Sequence, residues 1–155
     1  MPPTTEVLIA YDGSEPSGAA LRSAVALLPG AHFTVLTVHS TPIILDQAGA
    51  ARAGLPDALV REGVAELERE ILTEGRAVAE AGVALAREAG AVAQPATAPA
   101  SGSVWRVILE EAARRDSAVI ACGTRGLGGF SRAALGATSS ALVHHADRRV
   151  LTLPD

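Results

Sequence analysis

Three glycines near the carboxyl end of the chain have a spacing that suits the binding of an anion. Gly123, Gly126 and Gly136 form the pattern G-x2-G-x9-G between a short apolar run, residues 117–122, and a helix-like run, residues 140–146. Glycine lets backbone N–H groups approach a ligand without an intervening Cβ, and the free N–H groups of a helix N-terminus favour negative charge. A strand, a glycine-rich loop and a helix start in this order predict a phosphate site.

Other catalytic and phosphate-binding patterns are absent from the sequence. The chain contains no lysine and therefore no G-x-x-x-x-G-K-[ST], and no G-x-G-x-x-G follows the first predicted strand. It also has no H-E-x-x-H and only one cysteine. Efficient phosphoryl-transfer enzymes use lysine, metal-binding carboxylates and a positioned base, so this composition favours holding a phosphate over transferring one.

Apolar runs of two kinds predict the elements that position the glycine loop. Short runs rich in β-branched residues predict strands, and apolar residues at helical spacing predict helices. Five strands alternate with four helices, which predicts an α/β domain with a mainly parallel sheet and helices on both faces. The predicted strands cover residues 7–11, 33–39, 91–100, 117–122 and 149–153, and the predicted helices cover residues 16–28, 57–89, 101–112 and 140–146.

Two of these elements carry more specific expectations. Pro95 and Pro99 cannot donate ladder hydrogen bonds, so the third strand is expected at a sheet edge. The longest helix, residues 57–89, has one apolar stripe and charges on its other face, so it is expected to lie on the sheet. The loop of residues 41–56 has no sustained period.

Three separated positions are predicted to converge on one crevice. Asp12, Val38 and Gly123 all lie at the carboxyl ends of predicted strands. Ligands of open α/β sheets bind outside these ends, where the strand order reverses. The glycine loop is therefore expected to share a ligand site with Asp12 and Val38.

The two ends of the chain resemble one protein family. The glycine pattern, followed by small hydroxyl residues and by Leu-Val-His-His-Ala at residues 142–146, is similar to the universal stress protein family, as is Val-Leu-Ile-Ala-Tyr-Asp-Gly-Ser at residues 7–14. The resemblance covers nearly the whole chain and implies that residues 1–155 form a single domain. It implies a three-layer α/β/α, Rossmann-like fold with strand order 3-2-1-4-5, and a homodimer that pairs through the last strand.

The resemblance to the ATP-binding branch of this family also implies a binding site for ATP, with ADP or AMP as further candidates. Asp12 would lie near the ribose and any Mg²⁺, the backbone of Val38 would meet the adenine, and the glycine loop would hold the phosphates. The complete set of candidate cofactor-binding residues is Ala10, Asp12, Val38, Cys122, Gly123, Arg125, Gly126, Gly136, Ala137, Thr138 and Ser139.

Simpler interpretations stand beside several of these roles. Asp12 also suits a cap of the first helix or turn, and a buried Cys122 is more often a small apolar side chain than a reactive thiol. Arg125 could balance phosphate charge, yet surface arginines are common. His144 and His145 are adjacent, so they do not form an i, i+4 metal pair, and packing or the helix C-terminus explains them better.

Ala137 is the clearest departure from the family pattern. The family usually has serine or threonine after the last motif glycine, with its hydroxyl on the terminal phosphate. One lost neutral hydrogen bond is worth roughly 0.5–1.5 kcal/mol, which weakens binding without abolishing it. Backbone N–H groups of Ala137 and Thr138 remain as donors, and weaker discrimination between ATP and AMP is expected.

Composition narrows the remaining classes of function. The net charge of −4 argues against nucleic acid as the main partner. No apolar run reaches the length of a membrane span, and the first residues lack a charged-then-apolar pattern, so a secretory signal is not expected. A single cysteine fits a reducing cytoplasm. The resulting prediction is a cytoplasmic adenine-nucleotide-binding stress or signalling protein. Two alternatives remain: a slow ATPase or self-phosphorylating enzyme with Thr138, Ser139 or Ser140 as acceptor, and an interaction scaffold that binds no nucleotide.

Overall fold

Strands and helices alternate along the chain as the sequence predicts. The computed structural model describes residues 4–39, 53–54, 56–124 and 135–154. Most of the predicted loop at residues 41–56 lies outside this described part. The strands are β1 (Glu6–Ala10), β2 (His32–His39), β3 (Val92–Pro99), β4 (Val119–Gly123) and β5 (Arg149–Leu153). The helices are α1 (Glu15–Leu27), α2 (Asp57–Glu88), α3 (Val104–Arg114) and α4 (Ala137–His145).

The five strands form one sheet in the order β3-β2-β1-β4-β5. Every neighbouring pair is parallel, with Val7 beside both Phe33 of β2 and Val119 of β4. The predicted three-layer fold and strand order are therefore confirmed. The chain proceeds outward from β1 to β3 on one side and from β4 to β5 on the other, so the order reverses between β1 and β4.

Alternating strand residues build two cores, one on each face of the sheet. Val7 and Ile9 of β1 belong to the core under α1 and α2, and Leu8 belongs to the core under α3 and α4. Side chains of adjacent strand residues point to opposite faces, which explains why these strands, apolar at almost every position, are buried on both sides. The same alternation places Ala10, Val38 and Cys122 against the α3 and α4 core.

The strand with two prolines lies at a sheet edge, as predicted. β3 pairs with β2 from Val92 to Pro99, and in the described chain it has no neighbour on its other side. Pro95 lies opposite Val35 and has no N–H to donate. On the outer side of β3 this loses no hydrogen bond, because no strand of the described chain lies there.

α1 begins as its sequence predicts. The Ser14 side chain accepts a hydrogen bond from the Ser17 N–H at 3.3 Å, and Pro16 lies in the first turn. Serine caps and first-turn prolines both favour a helix start. This cap fixes where the chain turns after β1, next to the candidate site.

α2 lies on the sheet through its second half only. Its buried residues begin at Gly75 and continue through Ala79, Gly82, Val83 and Ala86. None of residues 57–74 is buried, so the prediction that the whole stripe lies on the sheet is wrong for this half. The helix of 32 residues extends for about 48 Å at 1.5 Å per residue, which is longer than the strands beneath it.

Candidate functional site

The reversal in strand order brings predicted site residues to one edge of the sheet. Ala10 ends β1 and Gly123 ends β4, and these strands are neighbours. Val38 lies one residue before the end of β2, on the other side of β1. Ala10 and Val38 are half-buried and Cys122 is buried. Their side chains therefore form a small, apolar surface beside the carboxyl ends of three strands.

The chain leaving β1 is fixed by a buried hydrogen bond that the sequence did not reveal. The Thr37 hydroxyl donates to the Tyr11 carbonyl at 2.9 Å, and the Tyr11 N–H donates to the Leu36 carbonyl at 2.9 Å. These bonds tie the residue before Asp12 to β2. A threonine facing the core in an apolar strand is the only signal for this role in the sequence.

Asp12 lies in the turn between β1 and α1, exposed at its surface. Its Oδ1 atom accepts hydrogen bonds from the Ser14 N–H, at 3.0 Å, and from the Ser14 hydroxyl. Partial burial raises the pKa of Asp12, but the bonds from Ser14 outweigh it, and the pKa lies below its ordinary value. The carboxylate is therefore charged at neutral pH. Asp12 therefore caps the turn between β1 and α1, whose N-cap is Ser14, and its ligand role stays a prediction.

The two ends of the glycine loop are joined by backbone hydrogen bonds. The Gly136 N–H donates to the Thr124 carbonyl at 2.7 Å, and the Thr124 N–H donates to the Leu153 carbonyl of β5 at 2.9 Å. The Ser139 hydroxyl donates to the Gly136 carbonyl at 3.0 Å and lies 3.3 Å from the Thr124 carbonyl. Thr124 was missed from the sequence because it acts through its backbone, which its residue type does not reveal.

The first turn of α4 is the part of the site best suited to an anion. α4 begins at Ala137, three residues earlier than the sequence predicts, and its N-cap Gly136 makes no side-chain cap. The first backbone bond within the helix runs from the Ser140 N–H to the Gly136 carbonyl at 2.9 Å. The N–H groups of Ala137, Thr138 and Ser139 therefore have no intrahelical acceptor, and they carry the positive end of the helix dipole.

The side chains of this turn differ in exposure. Ala137 is exposed, Thr138 is half-buried and Ser139 is 3% exposed. The Ser139 hydroxyl points at two carbonyl groups, so in this structure it stabilises the first turn of α4. Thr138 keeps the more accessible hydroxyl of the two.

Cys122 has the properties of an apolar core residue. It is 4% exposed, and burial raises the pKa of its thiol to about 11. The thiol is therefore protonated and a poor nucleophile at neutral pH. This agrees with the interpretation of Cys122 as a small side chain that lines the site.

One of the two histidines at the end of α4, His145, takes part in packing. The ring of His145 stacks on that of Trp105 of α3, with ring centroids 4.6 Å apart and an interplanar angle of 16°. The Arg106 guanidinium lies over the same Trp105 ring at 5.1 Å. The packing interpretation of His145 is confirmed, and the contact of Trp105 with this ring is one that the sequence did not predict.

Two kinds of feature are absent from the described residues. Within the described ranges, no group of three or more histidine, cysteine, aspartate or glutamate residues could hold a metal ion, and no helix there is long and apolar enough to cross a membrane. Arg125 and Gly126 lie outside the described residues, so their predicted roles remain predictions.

The strand order and the first turn of α4, next to the end of β4, define the class of this protein: a doubly wound α/β protein whose strand order reverses between β1 and β4. The sequence profile of the universal stress protein family matches residues 4–154. The chain belongs to that family.

Solved structures agree with this fold. A universal stress protein from Archaeoglobus fulgidus in complex with dAMP is 19% identical, with a TM-score of 0.62 and coverage of 98% of both chains. An Arabidopsis thaliana universal stress protein family protein with AMP bound is 18% identical, with a TM-score of 0.62 and coverage of 97% of this chain and 91% of that one. A universal stress protein in complex with cAMP is 18% identical, with a TM-score of 0.62 and 97% coverage of both chains. A search of curated proteins finds no match.

Proposed function

We propose that this protein binds an adenine nucleotide, with ATP as the expected ligand, and acts in a stress or signalling response. The observation that carries the proposal is the uncapped first turn of α4, held against the end of β4 by Gly136 and Thr124. Three backbone N–H groups without an intrahelical acceptor at a helix N-terminus suit a phosphate group. The AMP and dAMP complexes of proteins with this fold support the adenine part of the proposal.

The described residues fit such a ligand. The N–H groups of Ala137 and Thr138 would hold a phosphate, the apolar surface at Ala10 and Val38 would meet the base, and Asp12 would accept hydrogen bonds from the ribose. Mg²⁺ fits less fully, because Asp12 supplies one carboxylate and phosphate oxygens and water would complete its shell. When bound, Mg²⁺ would neutralise phosphate charge.

Calorimetric titration of the nucleotide-stripped protein with ATP, with and without Mg²⁺, tests this function. Saturable heat of binding is expected, and a Gly136→Val variant is expected to lose it because a branched side chain there crowds the phosphate position. Circular dichroism of the variant serves as the folding control. An absence of binding by the folded wild-type protein would contradict the proposal.

Ala137→Ser is expected to strengthen ATP binding by up to about tenfold. The variant supplies the hydroxyl that the family usually has at this position, and one such hydrogen bond is worth roughly 0.5–1.5 kcal/mol. Ala137 is exposed, so the change leaves the fold intact. Competition between ATP and AMP in the two proteins measures the effect. A gain of equal size for AMP and ATP would count against a contact with the terminal phosphate.

Pairing through β5 is the expected basis of a homodimer. β5 lies at the sheet edge opposite β3, and Val150, Leu151 and Thr152 are half-buried without a second neighbour in the described chain. An unpaired edge strand is a ready template for another chain. Sedimentation equilibrium of the wild-type protein and of Leu151→Pro is expected to show a dimer that the proline weakens. A Leu151→Pro variant that dimerises as well as the wild type would exclude this edge.

For the alternative of a slow ATPase or self-phosphorylating enzyme, the structure favours one candidate phosphate acceptor over another. Because Ser139 is buried and its hydroxyl donates to a carbonyl, Thr138 is the better acceptor in this turn. Sustained phosphate release that is lost in Gly123→Val would favour this alternative. The proposed setting of the binding protein is the cytoplasm, in keeping with its single, buried cysteine.

A further inference from the structure

Apolar packing holds α4 in the fold mainly through one side chain. The helix has nine residues, of which only Ser139 and Leu142 are buried. Leu142 belongs to the core under α3 and α4, whereas its neighbour Val143 is 49% exposed. Apolar burial therefore fixes the middle of the helix, and the position of its first turn depends on polar contacts.

Ser139 is a buried polar side chain that contacts both its own helix turn and the end of β4. Its hydroxyl donates to the Gly136 carbonyl at 3.0 Å and lies 3.3 Å from the Thr124 carbonyl, 15 residues earlier in the chain. The bond to Gly136 is the local kind that serine commonly makes within a helix. The contact with Thr124 is different, because it joins the helix to a separate strand.

The Thr124 carbonyl belongs to a peptide group that the sheet holds. Gly123 ends β4 opposite Leu153 of β5, and the Thr124 N–H continues this pairing by donating to the Leu153 carbonyl at 2.9 Å. The same Thr124 carbonyl accepts the Gly136 N–H at 2.7 Å. Ser139 and the N-cap of α4 therefore share one acceptor whose place is set by the sheet.

The two contacts with Thr124 enclose the part of α4 that would meet a phosphate. Ala137 and Thr138 lie in the chain between Gly136 and Ser139, so the directions of their N–H groups follow the position of this turn. When only a fraction of the molecules has the binding-competent conformation, the apparent dissociation constant rises as that fraction falls. A turn held by one of these hydrogen bonds in place of two would therefore bind phosphate more weakly.

We propose that Ser139 is a positioning residue of the nucleotide site. Its hydroxyl holds the first turn of α4 against the Thr124 carbonyl, so that the N–H groups of Ala137 and Thr138 face the phosphate. Ser139 itself is 3% exposed and lies behind these groups without touching the nucleotide. This role rests on the proposed function, and it differs from the direct ligand contact that the sequence predicts for Ser139.

Calorimetric titration of Ser139→Ala with ATP, AMP and adenosine tests this role. ATP and AMP are expected to bind about threefold to tenfold more weakly than to the wild type, which is the effect of one lost hydrogen bond. Adenosine is expected to bind both proteins equally, because it has no phosphate to meet the turn. A general loosening of the site would instead weaken all three ligands.

Ser140→Ala is the matched control within the same helix. It makes the same substitution one residue further along, and the Ser140 group that bonds to Gly136 is its backbone N–H, which alanine keeps. This variant is expected to bind ATP and AMP as the wild type does. Amide hydrogen exchange at Gly136 in the unliganded proteins gives a readout without nucleotide, and it is expected to be severalfold faster in Ser139→Ala only.

The outcomes separate this role from the function on which it rests. Wild-type affinity for ATP in Ser139→Ala, an equal loss for adenosine and ATP, or unchanged exchange at Gly136 would each overturn the role of Ser139 and leave nucleotide binding in place. Wild-type protein that binds none of the three ligands would contradict the proposed function, and with it this role.

Discussion

Replacement of Gly82 by valine is expected to lower the free energy of unfolding by about 3 kcal/mol, near the upper end of the usual cost of overpacking a core. A Cβ at this position would lie 2.7 Å from Tyr11 Cδ1 and 2.7 Å from Val35 Cγ1. Both neighbours are buried, with Val35 0% and Tyr11 7% exposed, so neither has free space to move into. Urea denaturation followed by circular dichroism measures the change.

Gly63 provides the matched control within the same helix. A Cβ there meets no atom within 4 Å, so Gly63→Ala is expected to raise the free energy of unfolding by up to about 1 kcal/mol through helix propensity alone. The two glycines share a helix and differ in contact with the sheet. If Gly82→Val left the urea midpoint unchanged, the close approach of α2 to Tyr11 and Val35 would be contradicted.

Ala137→Asp is expected to weaken ATP binding by about tenfold to a hundredfold, which corresponds to about 1.4–2.8 kcal/mol. The carboxylate would occupy the first turn of α4, where the proposed phosphate lies, and like charges repel. The same change is expected to stabilise the helix slightly, since negative charge at a helix N-terminus is worth about 0.3–1 kcal/mol. Calorimetric titration measures the affinity, and thermal unfolding measures the stability.

Ala137→Asn separates charge from size in this experiment. Asparagine has nearly the shape of aspartate and no charge, so this variant is expected to keep most of the ATP affinity. Equal losses in the two variants would show that bulk, not charge, opposes the ligand. Equal affinity in Ala137→Asp and the wild type would place the phosphates elsewhere.

The elements that sequence reasoning placed well are those whose residue types leave few choices. The prolines of β3 predicted an edge strand because they lack an N–H, and Ser14 with Pro16 predicted the start of α1 because both favour a first turn. The strand order followed from the resemblance to a known family, not from the periodicity of the strands.

The elements that sequence reasoning placed poorly depend on backbone contacts. α4 begins three residues before the predicted run because Gly136 and Thr124 hold its first turn, and Ala137 and Thr138 give no periodic signal. The stripe of α2 continues unchanged past Gly75 toward its amino-terminal end, so periodicity alone could not show where the sheet stops supporting the helix. Apolar spacing identifies the face of a helix that is suited to packing, not how much of that face the sheet covers.

In the proposed complex, phosphate groups meet the backbone N–H groups of the first turn of α4. Two-dimensional ¹H–¹⁵N NMR of this 155-residue chain, titrated with ATP and separately with AMP, tests it most directly. The amide signals of Ala137 and Thr138 are expected to shift strongly with both nucleotides, together with that of Gly136. Saturable binding that leaves these three amide signals in place would contradict this phosphate position and assign the nucleotide to another part of the protein.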